Sequence, residues 1–107
     1  VESFIAVATE SAGELTGYAI ARLQHGEFGG DLPIALLDVI GVDPESRHEG
    51  QGAMLLEGIL MHMKKRDIGE LRTQVDWAQQ ELVKFFAAQG FDLAPFQVLE
   101  RATTRNV

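Results

Sequence analysis

The residues best suited to chemistry lie in one stretch, Val42-Asp43-Pro44-Glu45-Ser46-Arg47-His48-Glu49-Gly50-Gln51-Gly52-Ala53. An apolar run ends at Val42, a tight turn follows over Asp43 to Ser46, and a helical period starts after Gly50. A helix start carries amides with no intrahelical acceptor and a partial positive charge, so it can hold phosphate. Gly50 and Gly52 put no Cβ between a ligand and the backbone. Arg47 adds a full positive charge beside the amides. The bland alternative is that the two glycines only let the helix pack against its neighbours. Glycine in a helix costs about 1 kcal/mol relative to alanine, so two directly after a buried strand suggest that close approach is being used.

Other candidates are more scattered. Asp38 is the one charged residue in the run from Ile34 to Val42. Enclosed by apolar neighbours, such a carboxylate is a candidate general base, and an Asp accepting backbone amides at a strand irregularity is the alternative. His25 in a glycine-rich stretch and His48 beside the phosphate-type loop have the right chemistry to titrate near neutrality. His62, between Met61 and Met63, reads as a partly exposed helix residue. No histidine and carboxylate pair has metal-ligand spacing, so no metal is expected. Trp77, Phe85 and Phe86 read as core, because no basic stripe accompanies them.

These residues need elements to position them. Phe4 to Thr9 and Leu15 to Leu23 read as a hairpin around Ser11-Ala12-Gly13-Glu14. Gln24 to Pro33 reads as a glycine-bearing loop. Ile34 to Val42 is apolar on both faces apart from Asp38, which suggests a central strand covered on both sides. Gly52, Leu55, Leu56, Ile59, Leu60 and Met63 fall on one face of a helix from Gly50 to Arg66, and Gly69 stops it. Lys64, Lys65 and Arg66 complement its carbonyl end, about three turns from the glycines, too far to serve the same site. Leu71 to Trp77 alternates as a half-buried strand. A second helix spans about Gln79 to Gln89 with Leu82, Phe85 and Phe86 inward and Gly90 as its cap. Phe91 to Leu93 and Gln97 to Arg101 read as two closing strands around Pro95. The predicted order is β-β-β-α-β-α-β-β, an α/β (α+β) fold with a mixed central sheet and two covering helices. The unit from Ile34 to Trp77 is expected to be parallel and right-handed.

Composition narrows the function classes. The chain has 107 residues, 46% of them apolar, no cysteine and a formal net charge of -7. One domain spanning 1–107 is expected. The lack of cysteine excludes disulfides, a thiolate zinc site and a cysteine nucleophile. The acidic balance argues against nucleic acid or anionic membrane as a partner. No stretch is long and apolar enough to span a bilayer, and a cytoplasmic location is the simplest expectation. The chain starts at Val1 and enters a strand almost at once, so we expect an N-terminally incomplete domain.

Arg47-His48-Glu49-Gly50-Gln51-Gly52-Ala53 resembles the Arg/Gln-x-x-Gly-x-Gly/Ala signature of the GNAT superfamily of acyl-CoA-dependent N-acyltransferases. Val42-Asp43-Pro44 is similar to that family's Val-x-Pro lead-in, and Phe85-Phe86-Ala87-Ala88-Gln89-Gly90-Phe91 to its Phe-Tyr-x-x-x-Gly-Phe segment. The resemblance covers Phe4 to Arg101 and matches the family from its second strand onward; the family's first strand and two helices have no counterpart here. It implies an N-acetyltransferase that moves acetyl from acetyl-CoA to a primary amine. The cosubstrate would lie where the central strand and the next strand splay apart. Its pyrophosphate would rest on amides between His48 and Ala53, and its pantetheine arm would pair with backbone near Ile40 and Val42. Gln79 and Phe86 match family positions that contact the cosubstrate.

Gln79 is a longer amide than the asparagine that often opens the family's second helix, and two further departures bear on catalysis. The tyrosine that many members use as acid toward the thiolate falls at Phe86, and the glutamate often found six residues before Val42 is Leu36, which leaves Asp38 as the nearest carboxylate. They motivate the alternative of a non-catalytic acyl-CoA-binding or oligomerising module. A homodimer is the expectation if a missing start leaves an edge and an apolar face to be covered. The acidic surface favours cationic amine acceptors by steering.

Overall fold

In a computed structural model, residues 4–24, 33–76, 78–95 and 98–103 are described. Strands β1 (Phe4–Ser11) and β2 (Glu14–Gln24) form the expected antiparallel hairpin. Ala12 and Gly13 both take left-handed backbone angles, with φ of 52° and 83°. Such a two-residue turn matches the right-handed twist of the strands it joins. Strand β3 (Ile34–Val42) pairs antiparallel with β2, and β4 (Glu70–Arg72) pairs parallel with β3, so the sheet order is β1-β2-β3-β4. Between β3 and β4 the chain forms a 3-10 helix, Pro44–Glu49, and helix α1, Gln51–Lys65. Helix α2 spans Gln80–Ala88. No helix among the described residues is long and apolar enough to cross a membrane.

Alternation along the strands builds one core. Ile5 from β1, Ala19 and Ala21 from β2, and Ala35 and Leu37 from β3 are buried together with Leu55, Leu56, Ile59 and Met63 of α1. Each fully buried large aliphatic side chain here contributes about 1.5–3 kcal/mol by leaving water. Phe86 of α2 joins the same core, stacked edge-on against Phe85 and Phe91. Leu60 departs from the expected stripe and is 42% exposed, since it sits at the margin of the face that meets the sheet. Helix α1 also stops earlier than Gly69. Asp67 takes the left-handed angle (φ 55°), and the Ile68 amide donates back to the Met63 carbonyl at 3.0 Å. This closes the helix end with buried Ile68 against it.

Two bulges interrupt the ladders. The register steps from Thr9↔Gly17 to Glu10↔Leu15, which leaves Thr16 as the extra residue. A second step, from Ile20↔Val39 to Ala21↔Leu37, leaves Asp38 unpaired in β3. A bulge places two residues opposite one and breaks the strict alternation of faces. Thr16 and Gly17 are accordingly both buried. Gly17 is packed tightly: a Cβ there would lie 2.8 Å from Thr9 Oγ1, 3.1 Å from the Gly41 carbonyl oxygen and 3.2 Å from Leu55 Cδ1.

Three expectations need correction. The strand expected over Leu71 to Trp77 is shorter, since its ladder ends at Arg72 and Thr73 to Asp76 leave the sheet; Trp77 lies outside the described residues. The closing strands over Phe91–Leu93 and Gln97–Arg101 are not formed among the described residues. Leu93, Val98 and Leu99 are largely exposed, and a strand without a ladder partner gains too little to order its backbone. The central strand is covered on one face only, with Phe4, Tyr18 and Val39 exposed on the other. The glycine-rich stretch with His25 falls outside the described residues.

Gly17 generates a stability test. Gly17→Ala should lower stability by about 1–3 kcal/mol in urea unfolding, because two of the three obstructing atoms belong to strands paired with β2. Gly69→Ala, where a Cβ would meet no atom within 4 Å, should stay within about 0.5 kcal/mol of the parent.

Candidate functional site

The parallel ladder between β3 and β4 is only three residue pairs long, ending at Leu36↔Arg72. Beyond it the two strands diverge, and the Thr73 hydroxyl donates to the Leu37 carbonyl at 3.1 Å. The opening is a cleft of about 220 Å³. Leu37 to Ile40 form one wall, Thr73 and Gln74 the other, and Leu82 and Phe86 of α2 close the end. In sheets with parallel strands, ligands bind beyond the carboxyl ends of the strands. This cleft has that position.

The same end of β3 leads into the glycine-bearing loop. The Asp43 carboxylate accepts the Glu45 amide at 3.1 Å and caps the 3-10 helix, with Pro44 in its first turn. The turn expected over Asp43 to Ser46 is thus the start of this helix. Gly50 sits between the two helices with φ 74° and ψ 14°, a conformation that glycine adopts without a Cβ penalty. No side chain caps α1, so the first amides over Gln51 to Ala53 are left to other partners, as at any helix start. The backbone of Arg47, His48 and Glu49 belongs to the 3-10 helix, and their side chains lie outside the described residues.

The two glycines play different parts. At Gly50 a Cβ would meet nothing within 4 Å, so its requirement is the backbone angle and its surroundings are open. At Gly52 a Cβ would lie 3.0 Å from two carbons of the Phe85 ring. Close approach at Gly52 is therefore made by α2, which is the packing role weighed against ligand contact. The side chain of Gln51 turns inward and is 7% exposed, and Ala53 is half-buried. Sequence reasoning missed the partners of Gln51, Thr9 and Thr16, because hydroxyls on a predicted hairpin carry no signal of where a helix will dock.

Asp38 occupies the bulge in β3 and lines the cleft. Its carboxylate is not enclosed by apolar neighbours. Arg22 Nε donates to it at 2.6 Å and Arg22 Nη2 at 3.3 Å, and its side chain is 35% exposed. Asp38 shares the outer face with Leu36, whose cross-strand partner is Arg22, and the bulge shifts the alternation only for the residues after it. Ile40 lines the cleft and pairs with Ala19, and Val42 pairs with Gly17. Gln79 lies just before α2, exposed, with its amide donated to the Asp76 carbonyl at 2.9 Å. Its carbonyl accepts the Val83 amide. Phe86 is 5% exposed and forms a wall of the cleft. No group of three or more His, Asp or Glu placed to hold a metal occurs among the described residues.

Comparison with known proteins bears on the family and the fold. The model of the Acetyltransferase (GNAT) family matches residues 2–91. A mycothiol acetyltransferase from Thermobispora bispora is 33% identical over 92 residues, covering 86% of this chain and 31% of that protein. Another, from Propionibacterium freudenreichii subsp. shermanii, is 26% identical over 92 residues, covering 86% of this chain and 28% of that protein. The chain thus spans about a third of the length of the curated relatives it matches. Among solved structures, AAC(6')-Iy in complex with a bisubstrate analog, CoA-S-monomethyl-acetylneamine, superposes with a TM-score of 0.84 at 20% identity. That match covers 95% of this chain and 71% of the other. The aminoglycoside acetyltransferase meta-AAC0020, from an uncultured soil metagenomic sample, reaches 0.80 at 16% identity over 99% of this chain and 68% of its own. At these identities the structural likeness establishes a shared α+β fold, and the family match over most of the length establishes more: the chain belongs to the GNAT acetyltransferase family.

Proposed function

We propose that this domain binds acetyl-CoA and transfers its acetyl group to a primary amine. The observation that carries the reading is the early end of the β3–β4 ladder at Leu36↔Arg72, which opens a cleft at the carboxyl end of β3, beside the loop that starts α1. The pantetheine arm enters this cleft and runs along β3 near Ile40 and Val42. The pyrophosphate rests on the backbone amides between His48 and Ala53, drawn by the open helix start. This arrangement lets an acidic domain hold an anionic cosubstrate, because oriented amides supply the attraction locally.

The chemistry then follows from position. The neutral amine attacks the thioester carbonyl carbon, a new C–N bond forms, and the C–S bond breaks to release CoA thiolate. Backbone N–H near Ile40 stabilises the carbonyl oxygen as it gains charge. Asp38 takes the proton that leaves the amine, with Arg22 fixing the direction of its carboxylate. Phe86 has no proton to give, so the thiolate is protonated from water. Two supports bear on the acceptor: net charge -7 favours a cationic amine, and the aminoglycoside acetyltransferases named above share the fold.

A second reading, acyl-CoA binding without transfer, is favoured by the burial of Phe86 where many relatives of this type place a tyrosine. Transfer to a good amine depends chiefly on positioning and deprotonation, so the loss of an acid slows the reaction without abolishing it.

Four tests bear on these statements. Calorimetric titration with acetyl-CoA should give micromolar binding, and its absence from the parent chain would overturn the reading. Thiol release in the presence of a panel of aminoglycosides and polyamines should then identify turnover; binding with no turnover on any amine favours the second reading. Asp38→Asn should reduce turnover roughly 100-fold while leaving acetyl-CoA affinity within twofold. An unchanged rate would remove Asp38 as the base. Phe86→Tyr should raise turnover if protonation of the thiolate is limiting, and an unaltered rate would place the slow step elsewhere.

A further inference from the structure

The loop from Asp43 to Gln51 is fastened at both ends to the bulge in β2. At its start, the Asp43 amide donates to the Thr16 carbonyl at 2.7 Å. At its end, the Thr16 hydroxyl donates to Thr9 Oγ1 at 3.2 Å, and the Thr9 hydroxyl donates in turn to Gln51 Oε1 at 3.1 Å. Thr16 is 9% exposed and Gln51, the first residue of α1, is 7% exposed. Thr9 and Gln51 are 42 residues apart in the chain, so the chain of hydroxyls is a tertiary tie. The bulge makes it geometrically feasible, since it brings both Thr16 and Gly17 to the buried face. Gly17 leaves the space that Thr9 Oγ1 occupies.

We propose that Thr9 and Thr16 are positioning residues for the phosphate-binding start of α1. They do not touch the cosubstrate. They hold Gln51, and with it the amides over Gln51 to Ala53, at a fixed angle to the cleft. The inference rests on the acyl-CoA reading above. It differs from a purely structural role in one respect: the hydroxyls matter for affinity, because amides that are free to tilt lose the preorganisation that anion binding needs. The hydroxyl chain is also directional. Thr9 both accepts and donates, so replacing it with valine breaks the tie at two points, whereas Thr16→Val removes one donor and keeps the carbonyl bond to Asp43.

The test is titration of CoA into the parent chain, Thr9→Val, Thr9→Ser and Thr16→Val at about 10 °C, near the temperature of maximum stability for most domains. Thermal midpoints and amide hydrogen exchange are recorded alongside. Thr9→Val should weaken CoA binding about tenfold, equivalent to about 1.4 kcal/mol, and Thr16→Val about threefold. Thr9→Ser, which keeps the hydroxyl, should remain within twofold of the parent. Exchange of the Met54 amide, which is bonded to the Gly50 carbonyl, should accelerate in Thr9→Val while the amides over Ile59 to Met63 hold. If Thr9→Val does not fold, Thr16→Val decides. Unchanged CoA affinity in the valine variants, however far their midpoints fall, would show a structural tie only and overturn the proposal. Equal weakening in Thr9→Ser and Thr9→Val would overturn it too, because the hydroxyl would then be irrelevant. A parent chain that does not bind CoA sinks the acyl-CoA reading itself, and the inference with it.

Discussion

The close seat of α1 on the middle of the sheet is the constraint on which the rest depends. Gly17, Ala19 and Ala21 of β2 and Ala35 of β3 offer almost no side-chain height, and all are buried. Leu55, Leu56 and Ile59 descend into that space. Larger residues on β2 would lift the helix and carry its N-terminus away from the end of β3. The core therefore does more than stabilise: the same contacts set where the helix start stands relative to the cleft.

The cleft depends on a second constraint, the single extra residue in β3. Before the bulge, Leu37 faces the core opposite Ala21; after it, Ile40 faces the core opposite Ala19. Asp38 absorbs the difference. Its carboxylate is turned to Arg22 on β2 across the pair. A charged residue within an apolar run is costly unless it finds a partner and access to water, and here it has both.

Much of this was legible in the sequence where one physical signal governed one element. Apolar runs bounded by turn residues located the hairpin and β3, and the stripe from Leu55 to Met63 located α1. The turn at Asp43-Pro44 and the glycine at 50 located the loop between them. The misreadings share a cause, which is that each depended on a neighbour. The residues from Phe91 to Arg101 have strand-like composition, yet a strand exists only where another lies beside it. Asp38 looked enclosed because its sequence neighbours are apolar, but a bulge and an arginine 16 residues away decide its surroundings. Gly52 read as open to a ligand, and Phe85, 33 residues on in α2, fills the space. The Thr9, Thr16 and Gln51 chain was invisible for the same reason.

Thr73 has a bearing on how such a cleft persists. A parallel pair of strands behaves like a zip, since each residue paired makes pairing of the next more favourable. Beyond Leu36↔Arg72, the next acceptor on β3 is the Leu37 carbonyl, and the Thr73 side chain already occupies it. The hydroxyl thus works as the stop at the end of the zip: it satisfies the acceptor without drawing the following backbone into register. Ladder length in this fold is then governed at one position by a side chain, and small changes there would shorten or deepen the opening without any change in the core beneath it.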